Sequence, residues 1–508
     1  MKAVLLGINL EHTQQSMRPC LPLYNLKLYA LKDQDLKRAQ VDIEILEKVD
    51  YTDDEVILKL LCDSKPDVIG ASCYLWSTKR LLNIIKSYML DNKNTKVLLG
   101  GPDVADQAEE ILNNYNFVSG VAYGEGEKIF NSFLRLSAGI DEGSWEDTPG
   151  IIVRKGDTYQ TNPLPEALSI DDIPITIYDN EFVEKFGKWL YMETARGCKY
   201  KCAYCNYNTR SYERRIRSFD DTIKAIDALV DIGGRYITFL DAGFNQDKER
   251  AKKLLRYILN KNISLADLEI NIEDLDDEEI ELISKLTSGR MGIGLQTTNQ
   301  AAQKNIYRSY NEQKFKAQIS KLRALGMDYI LDIICGLPGD NYETFKKTYD
   351  DAVSMSPYSV NIFLLSILPG TRLRYEAEKH GIVFDTEPPY RIYYCNTFTK
   401  EDITKAIRLI NVNNLFTTFN SNSKPFQILC HEARTNVRPS ELIEEFLSGN
   451  WDKKPPVSNG EINAWKEKSN VDTTINITDK FFNYVYREII KKEMPLEFKD
   501  ICSLQYEM

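Results

Sequence analysis

Two successive runs of alternating strand and helix, then a tail with helical periodicity alone, predict an α/β protein. The expected layout is an amino-terminal parallel sheet (1–144), a linking stretch (145–183), an incomplete (β/α)6 barrel (184–395) and a small, mostly helical carboxyl-terminal domain (396–508). Three observations carry it. Short apolar runs recur at strand length through the first 144 residues and again from 184 to 395. Helical periodicity fills the spaces between them. The tail has no comparable strands.

In the first run, Ala3–Ile8, Val41–Leu46, Asp67–Ser72, Lys96–Gly101 and Val118–Ala122 read as five strands. Leu81, Leu82, Ile84, Ile85 and Tyr88 mark one face of an intervening helix. Strands apolar along their whole length are expected in a parallel sheet covered on both faces. Such sheets bind ligands beyond the carboxyl ends of their strands. Glycine-rich turns stand there: Gly100-Gly101-Pro102 and Tyr123-Gly124-Glu125-Gly126-Glu127. Glycine permits tight turns and close backbone approach to a ligand, and ordinary strand-to-helix turns use it as well. Next, Ile151–Arg154 and Thr158–Thr161 flank Lys155-Gly156-Asp157. That is a β-hairpin signal inside a stretch spotted with Pro149, Pro163, Pro165 and Pro174.

The second run gives Leu190–Thr194, Tyr236–Leu240, Asp267–Ile272, Met291–Gln296, Tyr329–Ile334 and Val360–Ser366. Six strands in one alternating series suggest the partial barrel, whose active site would lie at the carboxyl ends of the strands. Asp241-Ala242-Gly243-Phe244-Asn245, Asn271 with Glu273, Gln296-Thr297, Gly336-Leu337-Pro338-Gly339 and Pro369-Gly370-Thr371 fall at or near those ends. Asp, Asn and Gly are also common turn residues. In the tail, Ile403, Ile407, Ile410 and Leu415 predict one amphipathic helix. Ser440–Leu447 predicts another, capped by Ser440 after Pro439. Trp451–Pro456 reads as an exposed loop, and the whole segment as a helical cap over the substrate cavity.

Composition narrows the function. Of 508 residues, 43% are hydrophobic and 27% charged, which is ordinary for a soluble globular chain. The net charge of −11 repels nucleic acid and anionic membranes. No apolar run approaches the roughly 20 residues that span a bilayer. The opening Met1–Gly7 is too short and too soon polar for a signal peptide. Ten cysteines without an export signal fit a cytoplasmic protein, and three histidines leave little room for histidine-rich metal chemistry.

Cysteine spacing is the strongest chemical signal. Cys198, Cys202 and Cys205 lie close together in Ala195-Arg196-Gly197-Cys198-Lys199-Tyr200-Lys201-Cys202-Ala203-Tyr204-Cys205. Thiolate-held clusters usually take four cysteines. Three leave one iron open, and an open coordination position marks a reactive site. Structural zinc is the competing use. A zinc ribbon would need a second paired cysteine motif, whereas Cys20, Cys62, Cys73, Cys335, Cys395, Cys430 and Cys502 are scattered singly. Cys395 and Cys430 make no auxiliary cluster motif and read as small buried residues.

The Cys-x-x-x-Cys-x-aromatic-Cys pattern, with Tyr204 at the aromatic place, resembles the radical S-adenosylmethionine (SAM) superfamily. That resemblance implies a 4Fe-4S cluster on Cys198, Cys202 and Cys205, with SAM on the open iron. It implies SAM contacts at Tyr204, Asp241, Gly243, Asn271, Gln296 and Gly336. The family's frequent Gly-Gly-Glu at the second strand is here Asp241-Ala242-Gly243. Arg308 matches an arginine of similar sequences and is expected either in a supporting role or in a surface salt bridge. The first domain resembles the Rossmann-like cobalamin (B12)-binding domain that precedes many such cores. It implies cobalamin contacts at Ser72, Tyr74, Gly100, Gly101, Gly124 and Glu125. The Asp-x-His-x-x-Gly pattern of histidine-ligated cobalamin proteins is absent from Asn9–Ser16, and His12 reads either as a polar loop residue or as a contact to the cofactor.

The resemblance implies a cobalamin-dependent enzyme of the radical SAM type, with methylation of an unactivated carbon of a small molecule or peptide as the leading outcome. Ring formation, rearrangement or oxidation, with or without cobalamin, is the alternative. A non-catalytic metal-binding protein is the alternative of another class. A flavodoxin or ferredoxin is the implied electron donor.

Overall fold

Strand β1 (Lys2–Asn9) is buried at every residue after Lys2, because it pairs in parallel on both edges. Around it the first domain runs α1 (Leu21–Ala30), α2 (Gln34–Arg38), β2 (Asp42–Val49), α3 (Asp54–Ser64), β3 (Val68–Ser72), α4 (Thr78–Met89), β4 (Lys96–Gly100), α5 (Ala108–Asn114), β5 (Gly120–Ala122) and α6 (Gly126–Ser137). The hairpin β6 (Ile151–Lys155) and β7 (Thr158–Thr161) completes it. The sheet order is β2-β1-β3-β4-β5-β6-β7, parallel through β5 and antiparallel after it. The hairpin read from the linking stretch therefore extends this sheet. Both faces are covered, one by Ile57, Leu61, Leu81 and Ile85, the other by Leu23, Phe130, Phe133 and Leu134. The order reverses between β1 and β3, which opens a crevice beyond the carboxyl ends of the strands.

This computed structural model describes residues 1–10, 19–208, 213–287, 291–418 and 438–447. His12, Cys430, Cys502 and the Trp451–Pro456 segment lie outside the described residues.

The second domain carries β8 (Trp189–Met192), a two-strand ribbon of β9 (Ala195–Arg196) with β10 (Arg215–Ile216), then β11 (Tyr236–Phe239), β12 (Ser264–Asp267), β13 (Glu269–Ile270), β14 (Met291–Gln296), β15 (Tyr329–Cys335) and β16 (Ser359–Leu364). The barrel wall is parallel but not continuous. One sheet is β12-β11-β8 and the other β13-β14-β15-β16. The third expected strand is split at Leu268, whose amide turns to the Asp267 carboxylate at 3.1 Å. Asp267 pairs with Thr238 on one side of the break, and Glu269 with Gly292 on the other.

The tail is helical where it is described. Ile403, Ile407 and Ile410 of Lys400–Thr418 are buried, as is Ile443 of Pro439–Leu447. Ser440 is not the cap. The second helix starts at Pro439, and the Ser440 amide and hydroxyl both donate to Asp350, at 2.8 and 2.7 Å. A tertiary carboxylate thus takes the place of the local cap. No described helix is long and apolar enough to cross a membrane.

Asp33 holds the first domain's helices together. It caps α2 by accepting from the Asp35 and Leu36 amides, and it also accepts from Asn131 and Arg135 of α6. Burial works to raise its carboxyl, but these donors outweigh burial and hold it at about 2. The unfolded value is near 3.9, so its contribution is complete above that pH and is lost as pH falls toward 2. Asp33→Ala is expected to lower unfolding free energy by about 1–2 kcal/mol at pH 7, read by urea denaturation. The difference from wild type should shrink in strong acid.

Candidate functional site

The site forms where the carboxyl ends of both sheets face each other. A cavity of about 470 Å³ opens there. From the first domain it is lined by Ser72 and Tyr74 after β3, Gly100, Gly101 and Pro102 after β4, and Gly124, Glu125 and Glu127 after β5. From the second domain it is lined by Glu193, Arg196, Asn206, Tyr207 and Leu240. All six expected cobalamin contacts stand on this one wall.

The glycines there have distinct reasons. A Cβ on Gly100 would meet only the Ala122 Cβ, at 3.7 Å, so a larger side chain would project into the cavity. Gly101 has φ of +114°, and a Cβ there would collide with the Cys73 backbone. Tyr74 is stacked on Trp76 at 4.6 Å between ring centroids. Glu125 is already committed: it accepts from Arg196 at 3.2 Å and from Arg215.

The cysteine loop follows β9. Asp241, buried at the end of β11, accepts from the Thr194 amide at 2.6 Å, the Ala195 amide at 2.9 Å and the Thr194 hydroxyl. It anchors the start of the loop from behind. Burial raises the Asp241 carboxyl against these donors. Gly243 clears space for the amide of Gln246, with which a Cβ would clash. Gln246 then donates to Cys198 Sγ at 3.1 Å and accepts from the Lys199 amide at 2.9 Å.

The other two sulfurs have donors as well. The Tyr207 amide lies 3.5 Å from Cys205 Sγ. Arg308 Nη1 lies 3.8 Å from Cys202 Sγ, and its Nη2 donates to the Gly294 carbonyl at 3.0 Å. Arg308 therefore turns inward to the cysteine loop rather than out to the surface. Burial pushes the Cys205 thiol up, and metal binding would have to displace that proton. Three sulfurs, each beside an N–H donor, suit thiolate ligation, because such donors stabilise thiolate charge. Among the described residues, no three His, Cys, Asp or Glu side chains gather around a single ion position.

Of the remaining expected SAM contacts, Tyr204 is half-buried against the barrel core. Asn271 donates to the Tyr200 hydroxyl and so ties the cysteine loop to β13. Gln296 ends β14 in the left-handed region, at φ +66°, with its amide over Gly294 near Arg308. Left-handed backbone is costly for a side-chain residue and tends to occur at functional sites. Gly336 is buried under Ile392 and Ile403. Inside the barrel, Glu269 and Asp332 converge over Gly292. Burial, then the like charges of Asp332 and Asp267, pushes Glu269 up to about 7; burial pushes Asp332 up to about 6.

Arg196, Glu127, Glu193, Tyr207 and Gln246 were not singled out by the sequence. Arg196 and Glu127 stood inside motifs that were, but Arg196 lies 69 positions from Glu127 and 71 from Glu125 along the chain.

Residues 25–134 match the B12 binding domain family and residues 192–352 the Radical SAM superfamily. The cobalamin-dependent radical SAM methyltransferase TokK of Streptomyces tokunonensis is 23% identical over 443 residues, covering 78% of this chain and 60% of that relative. The chain thus spans well under the full length of that protein. The structure of OxsB, described as a cobalamin-dependent S-adenosylmethionine radical enzyme with aqua-cobalamin bound, superposes with a TM-score of 0.64 at 15% identity. It covers 92% of this chain and 75% of OxsB. The radical SAM methyltransferase TsrM of Kitasatospora setae, with cobalamin and a [4Fe-4S] cluster bound, gives 0.58 at 16% identity, over 76% of this chain and 78% of TsrM. The chain thus joins a segment that matches the B12 binding domain family to one that matches the Radical SAM superfamily.

Proposed function

We propose that this chain is a cobalamin-dependent radical SAM enzyme that methylates an unactivated carbon of a small molecule or peptide, in the cytoplasm, with a flavodoxin or ferredoxin as electron donor. One observation carries the reading: residues of the B12-binding domain and the residues that flank the cysteine run, Arg196, Asn206 and Tyr207, wall the same cavity. Cys198, Cys202 and Cys205 would hold the cluster. Ser72, Tyr74, Gly100, Gly101, Gly124 and Glu125 would face the corrinoid. Tyr204, Gln296 and Arg308 are the candidates nearest the SAM side. When bound, these groups supply reductive sulfonium cleavage to a carbon radical and a methyl carrier.

The chain's own residues position and enclose. Asp241 fixes the backbone of the loop, while Gln246, Arg308 and the Tyr207 amide address its sulfurs. Asn206 reaches across to the Pro102 carbonyl at 3.3 Å and brings the two walls together. The Tyr207 hydroxyl approaches the Leu240 carbonyl at 3.4 Å, which sets Tyr207 between Cys205 and the cavity.

Protein reconstituted without oxygen, given iron, sulfide, hydroxocobalamin, SAM and a strong reductant, should form 5′-deoxyadenosine and S-adenosylhomocysteine. Deoxyadenosine alone would keep radical chemistry and remove methylation. Neither product, from protein that has bound the cluster, would remove both. Gly100→Leu should weaken hydroxocobalamin binding at least about tenfold, roughly 1.4 kcal/mol, with iron and sulfide content unchanged. Gln246→Leu should retain the cluster and lower its reduction potential. Loss of one hydrogen bond worth roughly 0.5–1.5 kcal/mol, with 1.4 kcal/mol equal to about 59 mV for one electron, gives roughly 20–60 mV by spectroelectrochemical titration.

A further inference from the structure

Arg196 stands two residues before Cys198, and its whole guanidinium is engaged. Nη1 donates to Glu125 and Glu127, each at 3.2 Å. Nη2 donates to Glu127 at 2.7 Å and Glu193 at 2.8 Å, and Nε to Glu193 at 2.9 Å. Arg215, paired opposite Arg196 on the β9–β10 ribbon, holds the other oxygen of Glu125. Three carboxylates and two arginines thus sit where the domains meet. Side-chain exposure is 13% for Arg196 and 5% for Glu127. Burial works to raise the Glu127 carboxyl, yet Arg196 outweighs it and the net shift is downward, so Glu127 is charged at neutral pH.

The same four side chains, Glu125, Glu127, Glu193 and Arg196, line the cavity. A group entering it therefore meets the clamp that holds the cysteine loop. Asp241 grips the start of that loop from the barrel side, and Glu125 and Glu127 grip Arg196 from the first domain.

We propose that Arg196 is a positioning residue through which Glu127, on the first domain, sets the Cys198 loop, so that occupancy of the cavity is felt at the cysteines. The coupling part rests on the cofactor reading above; the clamp itself does not. A shared ionic wall is the contiguous element such coupling needs.

The test uses the full chain. In cofactor-free protein, hydrogen–deuterium exchange of peptides spanning residues 194–205 should rise by about tenfold in the isosteric Glu127→Gln variant. The same peptides should loosen in Arg196→Glu and regain protection in the charge swap Arg196→Glu with Glu127→Arg. Unchanged exchange in Glu127→Gln overturns the clamp, as does a folded swap that restores nothing. In reconstituted protein, the electron paramagnetic resonance signal of the reduced cluster should change on binding hydroxocobalamin in wild type and not in Glu127→Gln of equal iron content. A change that survives in Glu127→Gln, or a wild-type signal indifferent to bound hydroxocobalamin, overturns the coupling. Protein that holds no iron or no corrinoid removes the cofactor reading instead, and exchange still judges the clamp.

Discussion

The arrangement of this chain depends on an ionic junction between two parallel sheets whose carboxyl ends face each other. Glu125 and Glu127 leave the end of β5, and Arg196 leaves β9 just ahead of Cys198. Each charge is largely withdrawn from water, so each is costly alone and tolerable only in company. Removing one partner of such a buried pair typically costs about 3–5 kcal/mol, far more than a surface pair is worth. Glu127 also lies in the first turn of α6, where the helix dipole favours negative charge. Fold and junction therefore agree on the charge state of that carboxylate.

The cysteine loop is held as firmly from the other side. Asp241 accepts from the Thr194 and Ala195 amides at one oxygen and from the Thr194 hydroxyl at the other, and Gln246 reaches the first sulfur from a turn that Gly243 leaves open. A loop with no regular hydrogen-bond ladder must find partners for its amides elsewhere. Here those partners are the end of β11 and the turn after it. The loop is thereby ordered without filling the cavity that its far end borders.

Much of this was legible in the sequence because the physics behind it is local. Buried parallel strands are continuous apolar runs, so β1, β3 and β4 stood out within a residue or two. The three cysteines and the glycine turns were legible for the same reason, since spacing and residue type carry the chemistry. What escaped was set by distant partners. The break at Leu268 depends on which neighbour each half of the strand pairs with. Ser440 looked like a cap, but Asp350, 90 positions away, claims its hydroxyl. Asp241 stands at a strand end, and nothing local says that its oxygens accept from a segment 47 positions earlier. Arg196 sat in plain view beside Cys198, but nothing local says that its partners lie on the other domain.

Stability alone does not explain why the junction is ionic. Well-packed apolar side chains of similar volume commonly match or exceed a buried ion pair. They would also close the space between the sheets. A guanidinium held by carboxylates on two sides sets distance and angle through a planar fork, which an apolar contact or a lysine ammonium does not. That geometry keeps the Gly-Glu-x-Glu turn and the cysteine loop in fixed relation while the wall beside them stays open. The constraint served is placement of one loop against one cavity, and Arg196, two residues before Cys198, lines that cavity and is held by Glu127 across it.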